Sequence, residues 1–131
     1  MYTDDITQRS PPMFANPLSR SATPSAADLV ARHARGEVLL VDVRESAELH
    51  ASGMASGAVH VPLARLPHVA DPRHPDHDPA FAADRPIAVY CASGGRSNLG
   101  CSVLAQLGYR NVTNAGGLAD WAAAGGKVVR V

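Results

Sequence analysis

Cysteine is scarce in this chain: Cys91 and Cys101 are the only two among 131 residues, too few for the disulfide framework of a small secreted domain. The pair points to a reducing, cytoplasmic setting. An excess of charge of either sign is also missing. Twelve basic side chains balance twelve acidic ones, for a net charge of +0, so no overall field draws the chain to nucleic acid or to an anionic membrane. Any attraction for an anion must be local. No stretch approaches the roughly 18 apolar residues of a membrane span. The opening segment MYTDDITQRSPP has acids where a signal peptide has bases, and it lacks an apolar core. A soluble, untargeted protein with neither membrane nor nucleic-acid partners is expected. His68, His74 and His77, with Asp71, Asp76 and Asp78, lie among prolines in an order that matches no metal-ligand spacing. Neither a metal nor an organic cofactor is expected.

What is present is enough apolar material for one core: 46% of the residues are hydrophobic, which suits a single domain of this length. Residues 1–21 carry Pro11, Pro12 and Pro17 among polar residues and read as a tail or surface segment, with one candidate edge strand near 13–19. The domain is placed at 22–131. Its first helix is expected to start with Thr23 as cap and Pro24 in the first helical position, and to end at Gly36. The run VLLVDV, Val38 to Val43, reads as a central strand ending on charged residues, the place where open α/β sheets build sites. A short helix at 45–51, closed by Gly53, and a brief strand at 58–61 follow. Residues 63–85, with prolines at 67, 72, 75 and 79, read as a long surface loop with some helix. Strands alternating with helices at this spacing give an α/β fold, a parallel sheet covered on both faces.

The segment IAVYCASGGRSNLGCSVLAQL, Ile87 to Leu107, carries the chemistry. Ile87 to Tyr90 form an unbroken apolar run, as in a strand buried on both faces, so Cys91 sits at the carboxyl end of that strand. Gly94 and Gly95 permit a sharp turn with exposed N–H groups, and Ser97 or Asn98 is expected to cap the following helix. N–H groups converging at a helix start favour an anion, and a thiolate is one. Cys101 shares a helical face with Leu104 and Gly108 and reads as a core thiol ahead of a resolving one. Trp121 reads as core packing.

With these blocks in view, the chain resembles the single-domain rhodaneses, a family of sulfurtransferases. The resemblance rests on VDVRESAEL, GMASGAVHVPL, VYCASGGRS and LGYRNVTNAGGLADWAAAG, in that order, over about residues 22–131. It departs from the family where Met54 and Ala55 replace a histidine and an isoleucine. The resemblance implies a five-stranded parallel sheet flanked by helices on both faces, and Cys91 as the residue that carries sulfur as a persulfide. Arg96 and Ser97 match the family's C-x-x-G-x-R-S loop. A small sulfur-containing anion such as thiosulfate is the implied donor, bound by Ala92, Ser93, Gly94, Gly95, Arg96 and Ser97. Arg44, in the VDVRE block that often lies beside the active loop, is a further candidate for donor contact; a structural ion pair with Asp42 is the competing reading. The acceptor would be cyanide, a thiol or a protein.

An ordinary thiol of pKa about 8.5 is mostly protonated at neutral pH. Helix N-terminus, loop N–H groups and the Arg96 guanidinium together are expected to bring Cys91 below about 7. Cysteine phosphatases use a similar cradle but place five residues between cysteine and arginine, where this chain has four; by that resemblance the shorter loop favours sulfur over phosphoryl groups. The alternative to a turnover enzyme is a sulfur-carrier module that receives persulfide from a protein partner.

Overall fold

The computed structural model describes residues 24–131, so the candidate edge strand near 13–19 lies outside the described residues. Helix α1, Ala26–Ala34, opens at Ser25, whose hydroxyl accepts from the Asp28 N–H at 3.1 Å. The cap is therefore two residues later than expected, and Pro24 precedes the helix instead of opening it. The reason is geometric: a cap oxygen must lie three residues before a free helical N–H, and Ser25 meets Asp28 at that spacing.

Four strands form a parallel sheet in the order β3-β1-β4-β5: β1 is Leu39–Asp42, β3 Val59–His60, β4 Ile87–Cys91 and β5 Val112–Gly117. Helix α2, Ser46–Ser52, follows β1 and leads through Gly53 into β2, Met54–Ala55. Among the described residues the sheet has four parallel strands where five were expected. The last apolar run instead becomes β6, Val128–Val129, and pairs antiparallel with β2. Val128 is 37% exposed, whereas a further strand in a sheet covered on both faces would need both sides buried.

The central strands divide their side chains by the period of two that extended backbone imposes. Leu39, Val41, Ile87, Val89 and Cys91 face one core, closed by Leu66, Phe81, Leu104 and Tyr109. Leu40, Ala88 and Tyr90 face the other, with Leu29, Ala115 and Trp121. Helix α4, Gly95–Gln106, brings Leu104 to the first core, while α1 and α5, Leu118–Ala123, bring Leu29 and Trp121 to the second. This is why the strands read as continuous apolar runs.

The 63–86 connection is more tightly held than a surface loop. It holds a 3-10 turn at Leu63–Arg65 and helix α3, Leu66–Val69. Leu66, Ala70 and Phe81 are fully buried, and burying a side chain the size of Leu or Phe contributes roughly 1.5 to 3 kcal/mol. The Tyr109 hydroxyl donates to the Ala70 carbonyl and so ties the segment to the strand side of the core. Two of the loop's histidines serve its own backbone: His74 Nδ1 accepts from the Asp76 N–H at 3.0 Å, and His77 Nε2 lies 3.1 Å from the Phe81 carbonyl. Among the described residues no helix is long and apolar enough to cross a membrane.

Candidate functional site

Cys91 is the last residue of β4, and its sulfur is wrapped by the turn that follows. The Gly94 N–H donates to Sγ at 3.0 Å and the Ser97 N–H at 3.4 Å, with the Ser97 hydroxyl also 3.4 Å away. Gly94 makes the wrap possible: its φ of +103° lies where a side chain would be strained. That conformation also moves the helix start. Neither Ser97 nor Asn98 caps α4; Gly94 is the cap residue, and its carbonyl accepts from the Asn98 N–H at 3.1 Å. Ser97 is thereby drawn inside the first turn and fully buried, with its hydroxyl turned to the sulfur.

The bed beneath the loop is the carboxyl end of β5. Pairing runs Val89 to Asn114 and then Cys91 to Gly117, so β5 spends one more residue than β4 over this interval, as a bulge does. A Cβ at Gly117 would drive into the Ala92 carbonyl, so only glycine lets the two backbones meet. The Gly117 N–H is held by Asp120 Oδ2 at 2.8 Å.

Burial alone would push the Cys91 thiol up, because it penalises the charged form. The Ser97 side chain and the N–H groups of Ser97, Ser93 and Gly94 outweigh it and bring the thiol down from 9.0 to about 7. Against an ordinary thiol of pKa about 8.5, that favours the thiolate by about 2 kcal/mol. Near neutral pH the thiolate is therefore a major form. Cys91 is 0% exposed, so its sulfur lies fully beneath the loop. Ala92, Ser93 and Gly95 are exposed on the outer side of that loop.

Arg96 stands at the start of α4, but its guanidinium is engaged. It makes two parallel bonds to Glu48 of α2, at 2.6 and 2.8 Å. The Arg96 guanidinium holds the Glu48 carboxyl well below the usual range, at about 2, and Glu48 in turn raises Arg96. Glu48 also accepts from the Glu45 N–H at 3.0 Å, closing the first turn of α2. Glu48 is a site residue that sequence reasoning missed; the signal for it was a glutamate three residues into a helix start. Asn114 was missed as well. It is a polar residue within β5, and its side chain bonds Ser97, Gly94 and Gly116.

The Arg44 side chain bonds to residues outside this ring. It is 2% exposed and paired with Asp42, which is 0% exposed, at 2.8 Å. The guanidinium also donates to Ser52 Oγ at 2.8 Å and to the Gly53 carbonyl at 2.7 Å. It ties the end of β1 to the end of α2, which is the structural reading of this pair. Cys101 is half-buried against the first core, and burial pushes its thiol up to about 11. Both cysteines are free.

Comparison with known proteins follows the same lines. The family described as "Rhodanese-like domain" matches residues 25–124. A protein named "Sulfurtransferase" from Allochromatium vinosum is 38% identical over 94 residues, covering 71% of this chain and 79% of its own. Among solved structures, one from Rhodopseudomonas palustris, described as of unknown function and a "possible tyrosine phosphatase", aligns with a TM-score of 0.73 at 32% identity, covering 82% of this chain and 83% of that one. A human single-domain sulfurtransferase aligns with a TM-score of 0.64 at 26% identity, covering 77% of this chain and 95% of its own.

Proposed function

The chain belongs to the rhodanese-like family, and from that premise we propose that it moves sulfane sulfur through a persulfide on Cys91, with residues 22–131 as the working unit. The observation that carries the proposal is the buried Cys91 sulfur held by the N–H groups of Gly94 and Ser97. A thiolate so held is both a nucleophile and, once loaded, an anion that the same ring can keep. With thiosulfate the Cys91 thiolate attacks the outer sulfur, the S–S bond of the donor breaks, and sulfite leaves with the electron pair. Cys91 is left as a persulfide anion. Cyanide then takes the terminal sulfur as thiocyanate, or a thiol takes it as its own persulfide, and the thiolate returns. The loop from Ala92 to Ser97 is the proposed donor cradle. Its N–H groups lie where charge collects on the sulfur. No metal or organic cofactor enters these steps.

Intact mass after incubation with thiosulfate tests the proposal. The wild type should gain one sulfur atom and Cys91→Ser none; no gain in the wild type would count against persulfide formation. One observation favours a second reading. Arg96 is committed to Glu48, so a small dianion finds its expected cation occupied, and a carrier that receives persulfide from a protein partner needs no such cation. A thiocyanate assay separates the two, because a carrier loads sulfur without turning over thiosulfate. The description of the Rhodopseudomonas palustris structure adds p-nitrophenyl phosphate hydrolysis as a check, and no hydrolysis is expected from this shorter loop.

A further inference from the structure

Asn114, within β5, touches two of the residues that donate to the Cys91 sulfur, Gly94 and Ser97. Its Nδ2 donates to the Gly94 carbonyl at 2.9 Å, and its Oδ1 accepts from the Gly116 N–H at 2.9 Å and from the Ser97 hydroxyl at 2.7 Å. Two of these partners fix the orientation of the amide. A backbone N–H only donates and a carbonyl only accepts, so the reversed amide would set donor against donor at Gly116 and acceptor against acceptor at Gly94. With Oδ1 facing Ser97, the third bond has one polarity: the Ser97 hydroxyl gives its single proton to Asn114. Its lone pairs then face the sulfur, 3.4 Å away, and accept from a Cys91 thiol. A thiolate has no proton to offer. The hydroxyl can serve it only by turning off Asn114, so one proton is contested between the amide oxygen and the sulfur.

We infer that Asn114 is a positioning residue for Cys91: it pins Gly94 beneath the sulfur and competes with the thiolate for the Ser97 proton, thereby setting the pH at which the nucleophile forms. The inference deepens the proposed role of Cys91, yet it concerns ionisation and can be read without any sulfur donor. Other ionisable groups lie on the elements around the site. They are Tyr90 beside Cys91 on β4, Asp42 and Arg44 at the end of β1, Glu45 and Glu48 of α2, Arg96 and Cys101 of α4 and Asp120 of α5. A change at position 114 leaves all of them in place. Asn114 is exposed while Ser97 is fully buried, so the proposed control over a buried nucleophile is exercised from the surface.

The test is the pH profile of iodoacetamide alkylation at Cys91, followed by mass on the full chain. Asn114→Asp keeps the shape, replaces the donor to Gly94 with an oxygen, and strengthens the hold on the Ser97 proton. The alkylation midpoint should rise by about one pH unit or more, cutting the rate well below the midpoint about tenfold, while the limiting rate at high pH stays within about twofold. Alanine at 97 removes the contested proton and is a better helix former than serine, so Ser97→Ala is expected to fold. In that background Asn114→Asp should move the midpoint by less than about half as much. A midpoint unmoved by Asn114→Asp overturns the inference, as does an equal shift in both backgrounds, which would leave only the charge of the new carboxylate. Loss of the limiting rate or of thermal stability with no shift in midpoint marks a merely structural residue and also overturns it. Because alkylation needs no sulfur transfer, failure of the persulfide proposal would leave this result readable.

Discussion

Arg44→Ala separates a residue that holds the fold from one that holds the donor. In the wild type the Arg44 guanidinium lies 3.1 Å from both oxygens of Asp42 through Nε and 2.8 Å from one through Nη2. Asp42 is 0% exposed. Removing the arginine strands a carboxylate with no access to water and frees the Gly53 carbonyl that Arg44 also caps. Breaking a buried pair from one side costs about 3 to 5 kcal/mol, a large share of the roughly 5 to 15 kcal/mol that holds a domain together. At about 3 to 5 °C per kcal/mol for a domain between the small and large size ranges, the melting temperature should drop by roughly 10 °C or more. Asp42→Leu with Arg44→Met should recover more than half of that loss, because two apolar side chains leave no stranded charge. Urea denaturation of Arg44→Ala and of the double variant is the assay. Were Arg44 a donor contact, Arg44→Ala would fold with nearly wild-type stability and show its defect as a raised KM for thiosulfate. A stability loss below about 1 kcal/mol would refute the structural account, since it would match what an exposed pair contributes.

Three further outcomes follow from the site. Cys91 alkylation should rise through a midpoint near 7 and level off above it, because the thiolate forms as pH increases; a midpoint above 8 would contradict the hydrogen-bonded ring. Glu48 has a folded pKa below its unfolded one, so its pairing with Arg96 stabilises above the ordinary carboxylate range and is lost as pH falls toward about 2. That pair is one-third exposed on each side, so Glu48→Gln should cost no more than about 1 kcal/mol near neutral pH, read by urea midpoints at pH 7 and pH 3; an equal loss at both would mean the pairing is not the cause. Cys101→Ala should leave sulfur loading of Cys91 intact, and Cys101 should resist alkylation at neutral pH because burial raises its thiol; loss of loading in that variant would instead make it part of a relay.

The placement of Cys91 at a strand end before a glycine turn was legible in the sequence, whereas the side chains that meet its loop were not, and the reason is separation along the chain. Cys91, Gly94 and Ser97 lie within six residues of one another, so a strand, a glycine turn and a helix start bring their atoms together by local geometry alone. Glu48 meets Arg96 across 48 residues and Asn114 meets Ser97 across 17. Those contacts exist only because β1 and β5 both flank β4, and strand order is not written in any one segment. The same limit explains β6. Val128 to Val131 has the composition of a strand, but its antiparallel pairing with Met54–Ala55 depends on a partner that reads as part of a turn. Leu66 and Phe81 sit in a proline-rich stretch whose composition predicts solvent, and their burial is set by the space between α4 and the sheet that they fill.

The pairing of Arg96 with Glu48 also bears on how the cradle works. A guanidinium free to face the sulfur would stabilise any anion there, thiolate, persulfide or bound donor, in proportion to its charge. Bound to Glu48, it brings little net charge to the loop, and the lowering of Cys91 is carried instead by the Ser97 side chain and by N–H groups. Dipoles of that kind fall off quickly with distance, so they act on an atom placed within the ring more than on one outside it. A thiolate sulfur and the inner sulfur of a persulfide occupy the same point, while the terminal sulfur and a departing sulfite lie farther out. In the proposed reaction the cradle would therefore hold the cysteine's own sulfur through both halves without gripping the leaving group. That suits a site that must release one product before it meets the next substrate. If Glu48→Gln freed the guanidinium, sulfite should inhibit more strongly while Cys91 still loads, and inhibition unchanged from wild type would show that the pair has no part in product release.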